Sequence, residues 1–319
     1  MKEKEWYTTG EVAKILGVSF RTIKRWIYSG KISAVKTIGG HYRIHRNEIE
    51  RLRSEVEDRF ATDIIKLVEK RKVMYFREVQ INFEGKYRHY ETRDKLRSLV
   101  GLGKLNTAFK LNRRWYFPID MSWDDVKDLA KEKLELVKFF EGYERKFERG
   151  GISYLDYSEY LVEQALIRAG YTVVAKDTYY FNGLVCLIRE GLGRPPDLDF
   201  IAALPNKGFV GIQVKNRLEY PKPDDVNVFI ELCRCLHLKP LLITRQAHPM
   251  TFDVIRRLGG WTVVFRQKFL KPGFPVDKLE ALRKNLGFPV AVYKWPPDYL
   301  IRRLIEAAEV MNQTMTNPQ

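Results

Sequence analysis

Histidine and cysteine are scarce in this chain of 319 residues, with five of the first and three of the second. Cys186, Cys233 and Cys235 are too few for a disulfide framework or a four-ligand zinc site. Cys233 and Cys235 lie two apart in a predicted helix and so point away from one another. Buried thiols in a reducing cytoplasm are the expectation. The histidines stand at 41, 45, 89, 237 and 248, too dispersed to indicate a Ser-His-Asp arrangement. No Walker loop is present, so no nucleotide cofactor is expected. No apolar run approaches the length of a bilayer span and the chain begins Met1-Lys-Glu-Lys-Glu5, so neither a membrane partner nor a targeting segment is expected. Low-complexity tracts are absent, and 45% hydrophobic residues suffice for real cores.

Positive charge is what the chain has in excess. Its net charge is +16, a balance that favours polyanionic partners. The distribution is uneven: residues 1–120 hold 27 Lys and Arg against 15 Asp and Glu, leaving only +4 for the rest. A uniformly charged, solvated surface would not be so lopsided.

That basic third opens with Thr8-Thr-Gly-Glu11, which has the form of a capping box. Val12, Ile15 and Leu16 follow on one helical face, Gly17-Val18 turns the chain and Ser19 caps a second helix. Ile23, Trp26 and Ile27 form that helix's apolar stripe, while Arg21, Thr22, Lys24 and Arg25 lie on its other faces. A short helix, a tight turn and a basic second helix suit entry into a major groove. Lys36–Ile44 then predicts two strands around Gly39-Gly40, with His41, Tyr42 and Arg43 on the rim. The stretch from Tyr7 to Leu52 resembles the MerR/excisionase winged helix-turn-helix, with Gly-Gly-His-Tyr-Arg as its most specific signature. The resemblance implies double-stranded DNA as partner, read by the second helix and the wing.

Residues 61–118 repeat the pattern in different residues. Ile64, Leu67 and Val68 mark one helix, Phe76–Ile81 a second, and Glu91–Leu102 a third carrying Arg93, Lys95 and Arg97. Lys104–Pro118 predicts a wing turned at Asn112-Arg113, with Arg114 on the return. This second winged helix offers phosphate contacts or a protein-facing surface. Ser122-Trp-Asp-Asp opens a charged helix expected to reach about Glu148, a connector with a partial seam at Leu129, Leu134, Val137 and Phe140. Gly150-Gly151 ends it.

Beyond the connector, Tyr157–Tyr171 predicts a helix with Leu161, Ala165, Leu166 and Ala169 on one face, closed by Gly170. Further on, Arg194-Pro-Pro-Asp-Leu-Asp199 leads into an apolar strand. Asn206-Lys207-Gly208 reverses the chain, and Phe209–Val214 returns to end in Gln213-Val-Lys215. In such a hairpin Asp199 and Lys215 can share a face, because alternate strand residues do. A carboxylate for a divalent metal beside a charge-stabilising lysine is apparatus for phosphodiester cleavage. Asp225–His237 predicts the next helix and Pro240–Thr244 the next strand. Residues 152–266 resemble the PD-(D/E)xK nuclease superfamily, built from a helix, a three-stranded meander, a helix and a strand.

The resemblance implies a Mg²⁺ site, with Mn²⁺ able to substitute, held by Asp199, Glu159 and Gln213, and Lys215 completing the catalytic set. Asp197 and Glu163 are the alternative acids. Asp199 is preferred because an Asp followed by three apolar residues is the superfamily's commoner form. Gln213 replaces the usual acid, as in the Mrr-like restriction branch, so metal binding leans on the carboxylates. The expected fold class is therefore multidomain: α-rich winged helix-turn-helix modules at 1–58 and 59–120, a connector helix at 121–150, then an α/β restriction-endonuclease-like domain with a mixed central sheet at 151–270. Two short helices, Val276–Asn285 and Tyr299–Met311, are expected in a C-terminal embellishment at 271–319. The implied function is a DNA endonuclease, with a homodimer expected because cutting both strands commonly takes two copies. A non-enzymatic DNA-binding regulator or accessory protein using the fold as scaffold is the alternative, and a structure-selective Holliday-junction resolvase is a further one.

Overall fold

A computed structural model describes residues 4–16, 18–87, 89–147, 154–188, 196–205 and 208–316. Gly17, Gly150-Gly151, Arg194-Pro195 and Asn206-Lys207, all used above, lie outside the described residues. The chain divides into two compact units, Met1–Lys131 and Glu132–Gln319.

In the first unit, β1 (Trp6–Thr8) leads into α1 (Thr9–Ile15). The capping box is present: Thr8 Oγ1 accepts from the Glu11 amide and the Glu11 carboxylate accepts from the Thr8 amide. A hydrogen bond from Lys4, with those from Thr8, holds the Glu11 carboxyl down at about 2. Ser19 caps α2 (Phe20–Tyr28) through the Thr22 amide. β2 (Val35–Lys36) and β3 (Tyr42–His45) form the wing, and β1 joins it in the order β1-β3-β2. That third strand is an addition to the pattern expected from the sequence.

α3 (Arg46–Arg71) is one helix of 26 residues, running through residue 58 where a domain boundary was placed. It serves two cores. Ile49 and Leu52 pack with Val12, Leu16, Ile23 and Ile44, whereas Phe60, Ile64 and Val68 pack with Met74, Val79, Leu96 and Tyr116. β4 (Met74–Tyr75), α4 (Phe76–Asn82), α5 (His89–Gly101), β5 (Asn106–Lys110) and β6 (Arg113–Phe117) complete the second winged region. Its hairpin turns at Leu111-Asn112, one residue earlier than expected, since Lys110 pairs with Arg113. Both turn residues have positive φ, 54° and 56°, the backbone of a two-residue turn matched to strand twist. The connector is α6 (Trp123–Phe147).

The second unit is built on a five-stranded mixed sheet. α7 (Tyr154–Arg168) is followed by β7 (Thr172–Thr178), the small hairpin β8 (Tyr180–Phe181) and β9 (Leu184–Val185), and then β10 (Leu198–Ala203) and β11 (Phe209–Lys215). α8 (Pro223–Cys235), β12 (Lys239–Thr244), α9 (Pro249–Arg257) and β13 (Trp261–Val264) complete it. The strand order is β13-β12-β11-β10-β7. β7, β10 and β11 pair antiparallel, and β11, β12 and β13 pair parallel. Parallel pairs need crossovers, and α8 and α9 supply them. The central strands are buried on both faces, which explains their near-continuous apolar runs.

Leu161, Ala165 and Leu166 of α7, with Ala169 just past its end, pack with Phe200, Ile212 and Val214 on one face. Phe229, Ile230 and Cys233 of α8 pack with Ile201 and Leu242 on the other. Gly211 permits the close approach of α8: a Cβ there would sit 2.7 Å from the Cys233 sulfur. β14 (Lys268–Leu270), α10 (Val276–Ala281), a wide helical turn at Leu282–Leu286, β15 (Val290–Val292) and α11 (Asp298–Thr316) follow. The parallel pair β14–β15 is an element that the expectation of two short helices omitted.

The cysteines require a correction. Cys186 and Cys235 form a disulfide, with Cα atoms 5.8 Å apart, and only Cys233 is a free, buried thiol. The β8–β9 hairpin carries Cys186 to the end of α8, its amide donating to Tyr179 O, a long-range approach that cysteine spacing cannot indicate. No helix among the described residues is long and apolar enough to cross a membrane.

Candidate functional site

Two surfaces carry the residues singled out above. On the first, α2 contains no acidic residue and exposes Arg21, Lys24 and Arg25. Thr22 is half-buried and its hydroxyl bonds Ser19 Oγ at 2.8 Å, so it serves the cap as well as the outer face. Lys24 rests over the Phe20 ring. Tyr42 meets Tyr28 edge-on at 6.1 Å, fixing the wing against the C-terminal end of α2. Arg43 is half-buried and donates to Tyr42 O, whereas His41 is exposed. His45 caps α3 by accepting from the Asn47 amide, and His248 caps α9 in the same way. Two of the five histidines are thereby structural.

In the second winged region three of the cations have internal partners. Arg93 and Arg97 both pair with Asp94, and Arg113 lies over the Tyr75 ring at 4.9 Å. Lys95 is half-buried and Arg114 exposed. Three of these five cations lie on α5 and two on β6.

The second surface lies on the β10–β11 hairpin. The register pairs Phe200 with Ile212, so Asp199 lies across from Gln213, with Asp197 and Lys215 one pleat further on. Asp199 is buried, 9% exposed. Gln213 Nε2 donates to one of its oxygens at 2.5 Å and the Val214 amide to the other at 2.5 Å. Burial pushes the Asp199 carboxyl up to about 6. The Val214 hydrogen bond and the Lys215 charge oppose that rise, and Asp197 and Asp177 add to it. Asp199, Gln213, Lys215 and Asp197 are therefore brought together.

The acids of α7 are placed differently. Glu163 is bound to Lys176 of β7 at 2.6 Å. Glu159 is half-buried on a helix whose apolar residues pack under Ile212 and Val214, and it is not among the charges acting on Asp199. Asp177, absent from the sequence-based set, is. The pairing of Leu198 with Thr178 brings it opposite Asp199, and only that register could have identified it. Among the described residues no group of three His, Cys, Asp or Glu side chains is gathered to hold a metal ion.

Below Lys215 the backbone is fastened by buried polar groups that the sequence reading also missed. Thr244 Oγ1 and the Arg245 amide both donate to Lys215 O. Arg245, 1% exposed, donates through its side chain to Arg217 O and Leu218 O. Asn216 exchanges two hydrogen bonds with the backbone of Phe269, each 2.8 Å. Burying such groups is costly unless they are satisfied, and here they fix the end of β11.

The helix-turn-helix class defined by α1, α2 and the wing agrees with comparison to known proteins: a family model described as "Helix-turn-helix domain" matches residues 6–55. No curated protein and no solved structure matches the chain.

Proposed function

We propose that the chain is a DNA-binding, metal-dependent endonuclease whose front unit selects the site at which the second unit cleaves a phosphodiester bond. The observation that carries this reading is the placement of Asp199, Gln213 and Lys215 on adjacent strands of a helix, antiparallel meander, helix and parallel strand. It is joined in one chain to a helix-turn-helix match. The donor set fits a hard divalent cation in kind, since a cation beside Asp199 would relieve the burial that disfavours its charge. Asp199 would hold Mg²⁺, or Mn²⁺ in its place, with Gln213 offering its carbonyl once its amide turns over and Asp197 completing the set. When bound, the ion supplies Lewis acidity toward phosphate and a more acidic water. Lys215 meets the negative charge that develops on the phosphate. Two copies, joined through α6 or the flank of the second unit, serve the two strands of a duplex, and light scattering tests that assembly.

The discriminating experiment is Mg²⁺-dependent cleavage of linear, supercoiled, methylated and four-way-junction DNA, with Lys215→Ala beside the natural chain. Cleavage of one substrate class, lost in the variant, is the expected result. One observation favours a non-catalytic scaffold: both Asp199 oxygens already accept hydrogen bonds. Wild-type protein that binds DNA and cuts none of these substrates in Mg²⁺ or Mn²⁺ would establish that second reading.

A further inference from the structure

The tip of the first wing breaks a local rule. Turns favour Gly, Asn, Asp, Ser and Pro, because those residues adopt turn backbone or bond to it. Here the turn Thr37-Ile-Gly-Gly40 carries a β-branched aliphatic residue. Ile38 is fully solvent-exposed, the most exposed large hydrophobic side chain among the described residues. The turn that presents it is tightly closed. Thr37 N donates to His41 O at 2.8 Å, Gly40 N to Thr37 O at 2.8 Å, and His41 N to Thr37 Oγ1 at 3.2 Å. Gly40 has a φ of +78°, a backbone that favours glycine. Beside Ile38, a Cβ on Gly39 would touch only the His41 ring and one on Gly40 nothing. The projection is therefore narrow, rigid and apolar at its end.

Its flanks have the opposite character. Lys36 and His41 are exposed on either side of the tip, and Arg43 follows on β3. The Tyr28–Tyr42 contact ties this hairpin to the helix bearing Arg21 and Lys24. An apolar tip with the basic Lys36 and Arg43 behind it matches one surface chemistry: a groove of duplex DNA, charged at its phosphate walls and apolar between stacked bases. The minor groove is about 6 Å wide, enough for one branched side chain and too narrow for a helix. Local departures from sequence–structure consistency of this kind concentrate at functional positions.

We propose that Ile38 is a wedge that enters the minor groove beside the α2 contact and partly unstacks one base step, bending the duplex. The inference rests on the DNA-binding reading and adds a deformation step to it. Partial unstacking is unfavourable and is offset by the extra contacts that a bent duplex permits. Steps that unstack readily, such as TA and CA, are then preferred at a position where no side chain reads a base edge.

The test uses the full chain without divalent metal, so that no cleavage intervenes, on a duplex selected from a random-sequence pool. End labels report bending by energy transfer, and 2-aminopurine at successive steps reports unstacking. Wild type is expected to shorten the end-to-end distance and brighten 2-aminopurine at one step. Ile38→Ser should abolish the brightening and weaken binding about tenfold, while Ile38→Met retains both signals. Arg43→Ala should weaken binding yet keep the brightening at saturation. Equal bending and brightening by wild type and Ile38→Ser would overturn the wedge alone, as would an Ile38→Ser effect confined to oligomeric state, which would make the tip protein-facing. A wild-type chain that binds no duplex would remove the DNA-binding reading itself, and the wedge with it.

Discussion

The α2 helix and the β10–β11 hairpin hold their charges in opposite environments. On α2, Arg21, Lys24 and Arg25 stand in solvent with no acidic residue on the same helix. On β10, Asp199 is buried beneath the hydrogen bonds of Gln213 and Val214. Exposed cations cost the fold little and remain available to a polyanion, but salt screens them. A buried carboxylate costs stability until something positive meets it. On the proposed reading this contrast would separate binding from chemistry, with affinity carried by charges in water and cleavage by charges withdrawn from it.

Chemistry offers the largest way to break this division. Asp199→Asn and Lys215→Ala should each reduce cleavage by about 100- to 1,000-fold while leaving duplex affinity unchanged, as single-turnover rates and filter binding would register. A matching loss of binding would place the hairpin in recognition and end the separation. Next in size, Arg21→Ala should cost about 1–3 kcal/mol at a preferred site and relax sequence preference there. Equal losses on all duplexes would make Arg21 a phosphate contact only.

The acid itself has a pH signature. The Asp199 carboxyl rises from its usual value near 3.8 to about 6 in the folded chain, chiefly through burial. The folded state thus holds this proton over a window in which the unfolded state has released it. The stabilising contribution is full below about 4 and is lost as pH rises through 6. Denaturation midpoints of wild type should therefore fall across that window relative to Asp199→Asn. Parallel profiles for the two would show that Asp199 is not the group responsible. Smaller still, Arg43→Ala should weaken all duplexes alike and lower the salt slope by about one. Smallest is Arg97→Ala on α5: its exposed pairing with Asp94 predicts a stability change within about 0.5 kcal/mol and little effect on DNA affinity. A large affinity loss there would extend recognition into the second winged region.

Much of this organisation was legible because it is local. Thr8 with Glu11, Ser19 before a periodic stripe, and Leu161 with Ala165 all act within a turn or two of one another, and each lies where its spacing placed it. The two strands around Asp199 and Gln213 were readable because a short hairpin leaves few registers. Contacts made at long range were not readable. The pairing of Trp6 with His45, the approach of Cys186 to Cys235 and the place of Asp177 opposite Asp199 all depend on where distant strands settle. The Leu111-Asn112 turn was misplaced by one residue for a different reason. Leucine at positive φ runs against its own preference, so residue type pointed to Asn112-Arg113 while strand pairing chose otherwise.

The continuity of α3 has a consequence for how the front of the molecule responds to heat or denaturant. Ile49 and Leu52 at one end, and Phe60, Ile64 and Val68 further along, anchor separate apolar clusters to a single rod of backbone. Helix formation is cooperative, so loss of either cluster withdraws the support that orders the other's stretch of helix. The two winged regions should therefore melt in one transition. A truncation at Ile64→Ala, which costs about 2–5 kcal/mol in its own cluster, should loosen the wing and α2 as well. Hydrogen exchange at the amides of Ile23 and Ile44 would register it, although neither residue touches the altered side chain.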